Sequence, residues 1–165
     1  MNRTAIFYGS TTGNTENAAK KIAKLLNADV FDVANKPTQE LQNYDNLIFG
    51  TSTWNFGDLQ DDWDSYISEL EKADLNGKVC AIFGLGDSYA FSDNFVDGIG
   101  TIYRAIQNKG CKIIGFVDTA EYNYGASTAV IDGKFVGLPL DDNNESDLTD
   151  KRIENWVEQL KPDFK

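Results

Sequence analysis

AIFYGSTTGNT, residues 5–15, joins a short apolar run to a loop of hydroxyl-bearing residues. The run from Ala5 to Gly9 is apolar throughout and ends in glycine, which is typical of a strand buried on both faces. From Thr15 onward, Ala18, Ile22 and their apolar neighbours recur at helical spacing. The stretch therefore predicts a buried strand, a short loop and a helix that begins near Thr15.

The rest of the chain repeats this alternation of apolar runs and helical patterns. The predicted strands are 30–33, 46–50, 78–84 and 112–117, and the predicted helices cover about 59–73, 95–106 and 153–160. Continuously apolar strands joined by helices form parallel sheets that are covered on both faces. We therefore predict an α/β fold, a three-layer doubly wound sandwich with a five-stranded parallel sheet.

One segment, residues 118–139, does not follow the alternation. It contains tyrosines, glycines and an Asp-Gly pair, and it is predicted to be an excursion between the fifth strand and the last helix. Within it, residues 134–138 are expected to rejoin the sheet. No linker composition interrupts the chain, so residues 1–165 are expected to form a single domain.

Charge and residue types exclude several classes of function. The chain has 26 acidic and 15 basic side chains, and its net charge of −11 disfavours nucleic acid and anionic membranes as partners. The absence of histidine excludes His-dependent triads and His-ligated metals, and two cysteines are too few for an iron–sulfur cluster. Redox chemistry would therefore need an organic cofactor.

No apolar run suits a membrane span or a signal peptide, so a cytoplasmic location is expected.

Ligands of doubly wound sheets bind beyond the carboxyl ends of the strands, where three loops of this chain are expected to meet. Residues 10–15 offer hydroxyls and a helix N-terminus, which suit a phosphate, although such a loop can also simply cap a helix. Residues 51–58 and 84–95 carry Trp54, Tyr89 and Phe91, which can flank a planar ring or pack on neighbouring helices. Taken together, the three loops match FMN, a flavin with a phosphate.

The chain closely resembles the flavodoxin family over essentially its whole length. The matching segments are STTGNT (10–15), TWNFGDLQ (53–60), GLGD (84–87), DNF (93–95), GKFVGL (133–138) and DLTD (147–150). The resemblance implies a flavodoxin-like strand order of 2-1-3-4-5 and one non-covalently bound FMN. It also implies that residues 118–139 are the insertion, in the region of the fifth strand, that marks long-chain flavodoxins.

The resemblance also implies individual roles. Residues 10–15 would hold the FMN phosphate, Trp54 would cover one face of the isoalloxazine, and the Asn55–Phe56 peptide would face flavin N5. The cofactor-binding residues implied in this way are Ser10, Thr11, Thr12, Gly13, Asn14, Thr15, Ser52, Thr53, Trp54, Asn55, Phe56, Gly57, Leu85, Gly86, Asp87, Phe91, Asn94 and Asn143. No catalytic residue and no metal ligand are expected.

Two positions depart from the family pattern. Phe91 stands where a tyrosine usually stacks on the outer face of the flavin, so its stacking would lack the phenol's electron donation and polar tip. Tyr89 could take its place if the loop shifts. Ser52 stands where a proline is common, which would loosen that loop slightly.

The function implied is that of a low-potential, one-electron carrier rather than an enzyme. The expected partners are redox enzymes such as NAD(P)H-dependent flavodoxin or ferredoxin reductases and low-potential oxidoreductases, approached by a monomer. One alternative is an FMN-dependent quinone or nitro-compound reductase of the same fold. A flavin-free signalling module is disfavoured, because Tyr8-Gly9-Ser10 supplies no acidic residue after the first strand.

Overall fold

A computed structural model describes residues 3–165, so residues 1 and 2 of the predicted domain lie outside the described residues. Strands and helices alternate along the chain, as expected. The strands are β1 Thr4–Tyr8, β2 Asp29–Asp32, β3 Asn46–Trp54, β4 Asp58–Leu59, β5 Val79–Leu85, β6 Lys112–Ile114, β7 Val117–Asp118, β8 Val130–Ile131, β9 Lys134–Phe135 and β10 Leu138–Leu140. The α-helices are α1 Asn14–Leu26, α2 Asp61–Lys72, α3 Asp97–Ile106 and α4 Thr149–Leu160.

The main sheet confirms the predicted class of fold. Its order is β2-β1-β3-β5, and β6 and β10 both pair with the far side of β5. These pairings are parallel, while the short β4 is antiparallel to β3. The two segments β6 and β10 together occupy the fifth place, so the strand path follows the expected order of 2-1-3-4-5.

The fifth strand is interrupted earlier than the sequence predicts. It was expected to run to Val117, but β6 ends at Ile114, and Gly115 follows with a φ of 84°. The insertion, which we define as residues 115–137, then forms a separate antiparallel sheet in the order β7-β9-β8. The prediction that 134–138 rejoins the main sheet is wrong for Lys134 and Phe135. They pair within the small sheet, and the chain returns to β5 at β10.

Helices cover both faces of the main sheet, each over its own apolar core. On one face, α1 and α4 bury Ala19, Ile22 and Trp156 against Ile6 and Phe83 of the sheet. On the other face, α2 and α3 bury residues including Trp63, Tyr66, Leu70, Ile99 and Ile102 against the sheet's opposite side chains. Since alternate strand residues face opposite sides, both cores require apolar strands.

Local geometry moves two helix starts from their predicted positions. The helix α2 begins at Asp61 rather than Leu59, because the Gln60 side chain caps it by accepting from the Asp62 and Trp63 N–H groups. The helix α3 begins at Asp97 rather than Phe95, because Val96 precedes it with a left-handed φ of 48°. Helical periodicity alone does not reveal where either helix starts.

Within residues 3–165, every helix is too short or too polar to cross a bilayer.

Two glycines of the insertion allow the cost of backbone strain to be measured separately from the cost of a steric clash. Both Gly115 and Gly133 have positive φ, 84° and 81°. A Cβ added to Gly133 would have nothing within 4 Å, whereas one added to Gly115 would lie 2.7 Å from Nε1 of Trp156. That indole N–H donates to the Gly115 carbonyl at 2.9 Å.

We therefore expect Gly133→Ala to lower the free energy of unfolding by about 1 kcal/mol through strain alone. Gly115→Ala should lower it by about 3 kcal/mol, because Trp156 must also move. Urea unfolding of both variants, followed by circular dichroism, measures the difference. Equal losses would show that Trp156 adjusts without cost.

Candidate cofactor-binding site

The three loops singled out from the sequence meet at the carboxyl edge of the sheet, around a cleft of about 370 Å³. They follow β1, β3 and β5, which are adjacent strands, and the chain after β10 supplies a fourth wall. The lining residues are Thr12, Asn14, Ser52, Thr53, Trp54, Leu85, Gly86, Asp87, Phe91, Asp142 and Asn143. A second, smaller hollow on the other side of Trp54 is lined by Thr11, Trp54, Asn55 and Asp61.

A larger hollow of about 580 Å³ lies elsewhere, beside β2 and the turns at residues 33–40. It contains none of the residues that the sequence singled out. We assign the site to the smaller cleft, because it lies where the loops of three neighbouring strands converge, as ligand sites of doubly wound sheets do.

The loop before α1 presents an anion-binding surface without any basic residue. Gly13 has a φ of 96°, and its N–H donates to Ser10 Oγ at 3.1 Å. No side chain caps the first turn of α1, so its N–H groups and positive dipole end are available to a ligand. The buried Thr15 hydroxyl lies 2.6 Å from Ser52 Oγ, which joins this loop to the end of β3.

The β3–β4 turn carries the aromatic side of the cleft. Thr53 pairs with Leu59 and Trp54 with Asp58, so residues 55–57 form a tight turn in which Asn55 has a φ of 49°. Trp54 lines both hollows, and its indole Nε1–H is buried without a hydrogen-bond partner among the described residues. A buried N–H donor without an acceptor is uncommon, and here it belongs to a residue of the cleft.

Asp87 holds the loop after β5 in place. Its Oδ1 accepts from the Tyr89 and Ala90 N–H groups and from the Asn144 amide, and its Oδ2 accepts from the Asn143 amide. Partial burial works against ionisation, but these hydrogen bonds outweigh it and lower the pKa of Asp87. The side chain is therefore a carboxylate at neutral pH.

The outer aromatic position is filled by Phe91 rather than Tyr89. Phe91 lines the cleft and meets the Phe56 ring edge-on, with 6.2 Å between ring centroids. Tyr89 is 87% exposed and does not line the cleft. Two aromatic side chains, Trp54 and Phe91, thus border the same space.

Eight residues predicted for the site do not line the cleft. Ser10, Gly13 and Thr15 belong to the loop before α1 and the start of that helix, and Thr11 and Asn55 line the smaller hollow instead. The other three lie at the β3–β4 turn or behind it. Phe56 is 83% exposed and touches only its rim, through Phe91. Gly57 and Asn94 lie together against the carboxylate of Asp97, with Asn94 Nδ2 donating to Asp97 Oδ2 at 3.2 Å.

Sequence reasoning missed several acidic and amide residues that build the site. Asp142 lines the cleft, and the fully buried Asp141 accepts hydrogen bonds from Ser88 and Asn144, which ties two loops together. The run Asp141-Asp142-Asn143-Asn144 follows β10 directly. Polar residues after a strand were the available signal. Only Asn143 of this run was predicted, through the family resemblance, because the strand was expected to end at Leu138.

Within the described residues, no group of three or more acidic or cysteine side chains could hold a metal ion. The donors at the cleft are backbone N–H groups, hydroxyls, amides and an indole, beside carboxylates and two aromatic rings. Such a set suits an organic ligand that has an anionic group at one end and a planar ring at the other.

Comparison with known proteins gives a consistent family. The family model described as Flavodoxin matches residues 6–156. A flavodoxin of Nostoc sp. is 46% identical over 162 residues, covering 96% of this chain and 95% of the relative. Flavodoxin 1 of Escherichia coli is 44% identical over 161 residues, covering 95% and 92%. The crystal structure of Fusobacterium nucleatum flavodoxin bound to flavin mononucleotide has a TM-score of 0.94 and 35% identity, and covers all of both chains.

The family model spans most of the chain, and the relatives align over nearly their full lengths. On these grounds, together with the sheet order and the three converging loops, the chain belongs to the flavodoxin family.

Proposed function

We propose that this protein binds FMN non-covalently and carries electrons one at a time between larger redox enzymes. The observation that carries the proposal is the cleft, which joins an uncapped helix N-terminus and its hydroxyls to the Trp54 and Phe91 rings. Its volume of about 370 Å³ falls in the usual range for small-molecule sites. The similar Fusobacterium nucleatum flavodoxin was solved with this cofactor.

The buried Trp54 Nε1–H tests whether FMN fits this site. This donor lacks an acceptor among the described residues, and it belongs to a residue that lines both hollows, so an acceptor oxygen of a ligand beside the indole fits it. The same holds for the N–H groups at the start of α1. Both observations fit a phosphorylated ligand.

We assign the phosphate end to residues 10–15 and the ring to the space between Trp54 and Phe91. Asp142 and Asn143, which follow β10, and Leu85 and Gly86, at the end of β5, complete the lining of the cleft. When bound, FMN supplies an isoalloxazine ring that accepts and releases single electrons. The protein's own part is to exclude water with the two aromatic rings and to hold the ring between fixed loops.

Acidic side chains at the cleft make the electrostatic potential around the proposed flavin negative. Asp87 and Asp142 line the cleft, Asp61 lines the smaller hollow, and neither hollow has a basic lining residue. Negative charge at this distance disfavours the addition of an electron nearby. We therefore propose a low reduction potential, with the phosphate held by neutral donors.

We further propose a monomer that works as one domain in the cytoplasm and exchanges electrons with NAD(P)H-dependent flavodoxin or ferredoxin reductases and low-potential oxidoreductases. Support comes from the net charge of −11, which favours partners with basic surfaces. Phe56 and Tyr89, 83% and 87% exposed, stand at the same edge and offer apolar contact.

The first test is stepwise anaerobic reduction of the FMN-loaded protein at controlled potential. We expect two separate one-electron midpoints, both at low potential, measured by visible absorbance. A single two-electron step would contradict the carrier assignment and would favour an FMN-dependent quinone or nitro-compound reductase. Failure to retain FMN would overturn the site itself.

Thr12→Val tests the phosphate assignment. The exposed Thr12 hydroxyl lines the cleft, and valine keeps the side chain's shape without its donor. Losing one hydrogen bond to a charged group should weaken FMN binding roughly tenfold or more. Binding of riboflavin, which lacks the phosphate, should change little.

Fluorescence titration of FMN-free protein with both flavins measures these affinities, and Thr119→Val in the insertion is the matched control. Equal losses for FMN and riboflavin would place the phosphate elsewhere.

Reduction by an NADPH-dependent flavodoxin reductase should slow as salt is added, if acidic residues guide docking. We expect the second-order rate to fall roughly tenfold between about 20 and about 300 mM NaCl, measured by stopped-flow absorbance. Neutral sugars at matched viscosity serve as the control. A rate that does not depend on salt would reject electrostatic docking.

A further inference from the structure

Asp97 carries a buried carboxylate that the cofactor assignment does not use. It is the first residue of α3 and only 5% exposed. None of the ion pairs formed within residues 3–165 includes it. Its hydrogen bonds come from neutral donors instead: Oδ1 accepts from the Thr128 N–H at 2.8 Å, and Oδ2 accepts from Asn94 Nδ2 at 3.2 Å. A buried carboxylate without a cation is costly to keep.

The β3–β4 turn lies directly against this carboxylate. A Cβ added to Gly57 would lie 2.7 Å from Asp97 Oδ2 and 3.3 Å from Asn94 Nδ2. The neighbouring Gly98 N–H donates to Thr53 Oγ1 at 2.8 Å, at the end of β3. The start of α3 therefore supports residues 53–57 from behind, through two contacts.

The insertion reaches the same point from the other side. Its Gly125 and Ala126 N–H groups donate to the Ser92 carbonyl at 2.9 and 3.0 Å, and the Phe95 N–H donates to the Ala126 carbonyl at 3.2 Å. Next along the insertion, the Thr128 N–H donates to Asp97 Oδ1. Residues 125–128 thus run beside residues 92–97 and end on the carboxylate.

We propose that Asp97 is a positioning residue that couples the insertion to the β3–β4 turn, so that the insertion helps to fix the ring-binding side of the cleft. A carboxylate can accept at both ends, from Thr128 and from Asn94. An amide of the same shape carries an acceptor oxygen at one end and an NH2 donor at the other, so it does not accept at both ends. For its effect on bound FMN, this inference rests on the proposed function.

Amide hydrogen exchange in Asp97→Asn tests the coupling. We expect residues 55–58 and residues 125–129 to exchange roughly tenfold or more faster than in the wild type, because both segments lose a fixed neighbour. Amides of α1 and α4, on the other face of the sheet, should not change. Faster exchange at 125–129 alone would overturn the proposal, because Asp97 would then fasten only the insertion.

Asp132→Asn is the matched control. It removes the same charge from an exposed side chain in the turn between β8 and β9, which forms no hydrogen bond or ion pair with another described residue. We expect its exchange rates to stay within about threefold of the wild type. Asn94→Ala offers a second route if Asp97→Asn does not fold. It leaves the Thr128 bond in place, so residues 55–58 should accelerate while 125–129 do not.

The reduction potential of bound FMN responds to the loss of a nearby negative charge, which loosened packing alone does not cause. Asp97→Asn removes a buried negative charge behind the turn, so the midpoints should move to more positive values, whereas Asp132→Asn should leave them unchanged. Unchanged midpoints in Asp97→Asn would reject a role toward the flavin. Hydrogen exchange is measured with and without FMN. If the wild-type protein fails to bind FMN, the proposed function is wrong, but exchange in the FMN-free protein still tests the coupling.

Discussion

The parallel pairing of β3 with β5 is the constraint on which the rest of the structure depends. Seven residue pairs, from Asn46 with Val79 to Ser52 with Leu85, hold the two strands in register at the centre of the sheet. Both faces of the pair are buried, so the strands must be apolar, and both end at the same edge. The loops that carry Trp54 and Asp87 are adjacent because this register makes them so. A slip of one residue would turn the core side chains to the wrong face.

Much of this arrangement could be predicted, because buried parallel strands and amphipathic helices leave strong patterns. The apolar runs located every strand of the main sheet except the short β4 and β10, and the motifs at residues 10–15, 53–57 and 84–87 pointed to the edge where they meet. The strand β10 escaped because it is three residues long and contains Pro139. Without it, Asp141, Asp142 and Asn144 had no strand to follow, and their contribution to the site was missed; only Asn143 was named, through the family resemblance.

Other features depend on contacts that sequence periodicity does not encode. The start of α3 is set by the left-handed φ of Val96, a buried β-branched residue for which that conformation is unusual. The placement of Asn94 depends on Asp97, whose carboxylate was not singled out from the sequence. The exposure of Tyr89 and the position of Phe91 at the cleft depend on hydrogen bonds to Asp87. In each case, tertiary contacts select one of several conformations that the local sequence permits.

The divided fifth strand has a consequence for how the chain can vary in length. Ile114 of β6 pairs with Ala81, and Leu138 of β10 pairs with Phe83, so the insertion leaves and re-enters the sheet only two residues apart along β5. At strand spacing this separation is about 7 Å along β5. A segment of almost any length can therefore be spliced between these points without altering the register of the sheet. Deletion of the insertion would leave the ends of β6 and β10 close enough to join. It would forfeit the support that residues 125–128 give to the start of α3, together with the buried side chains of Tyr122, Phe135 and Val136.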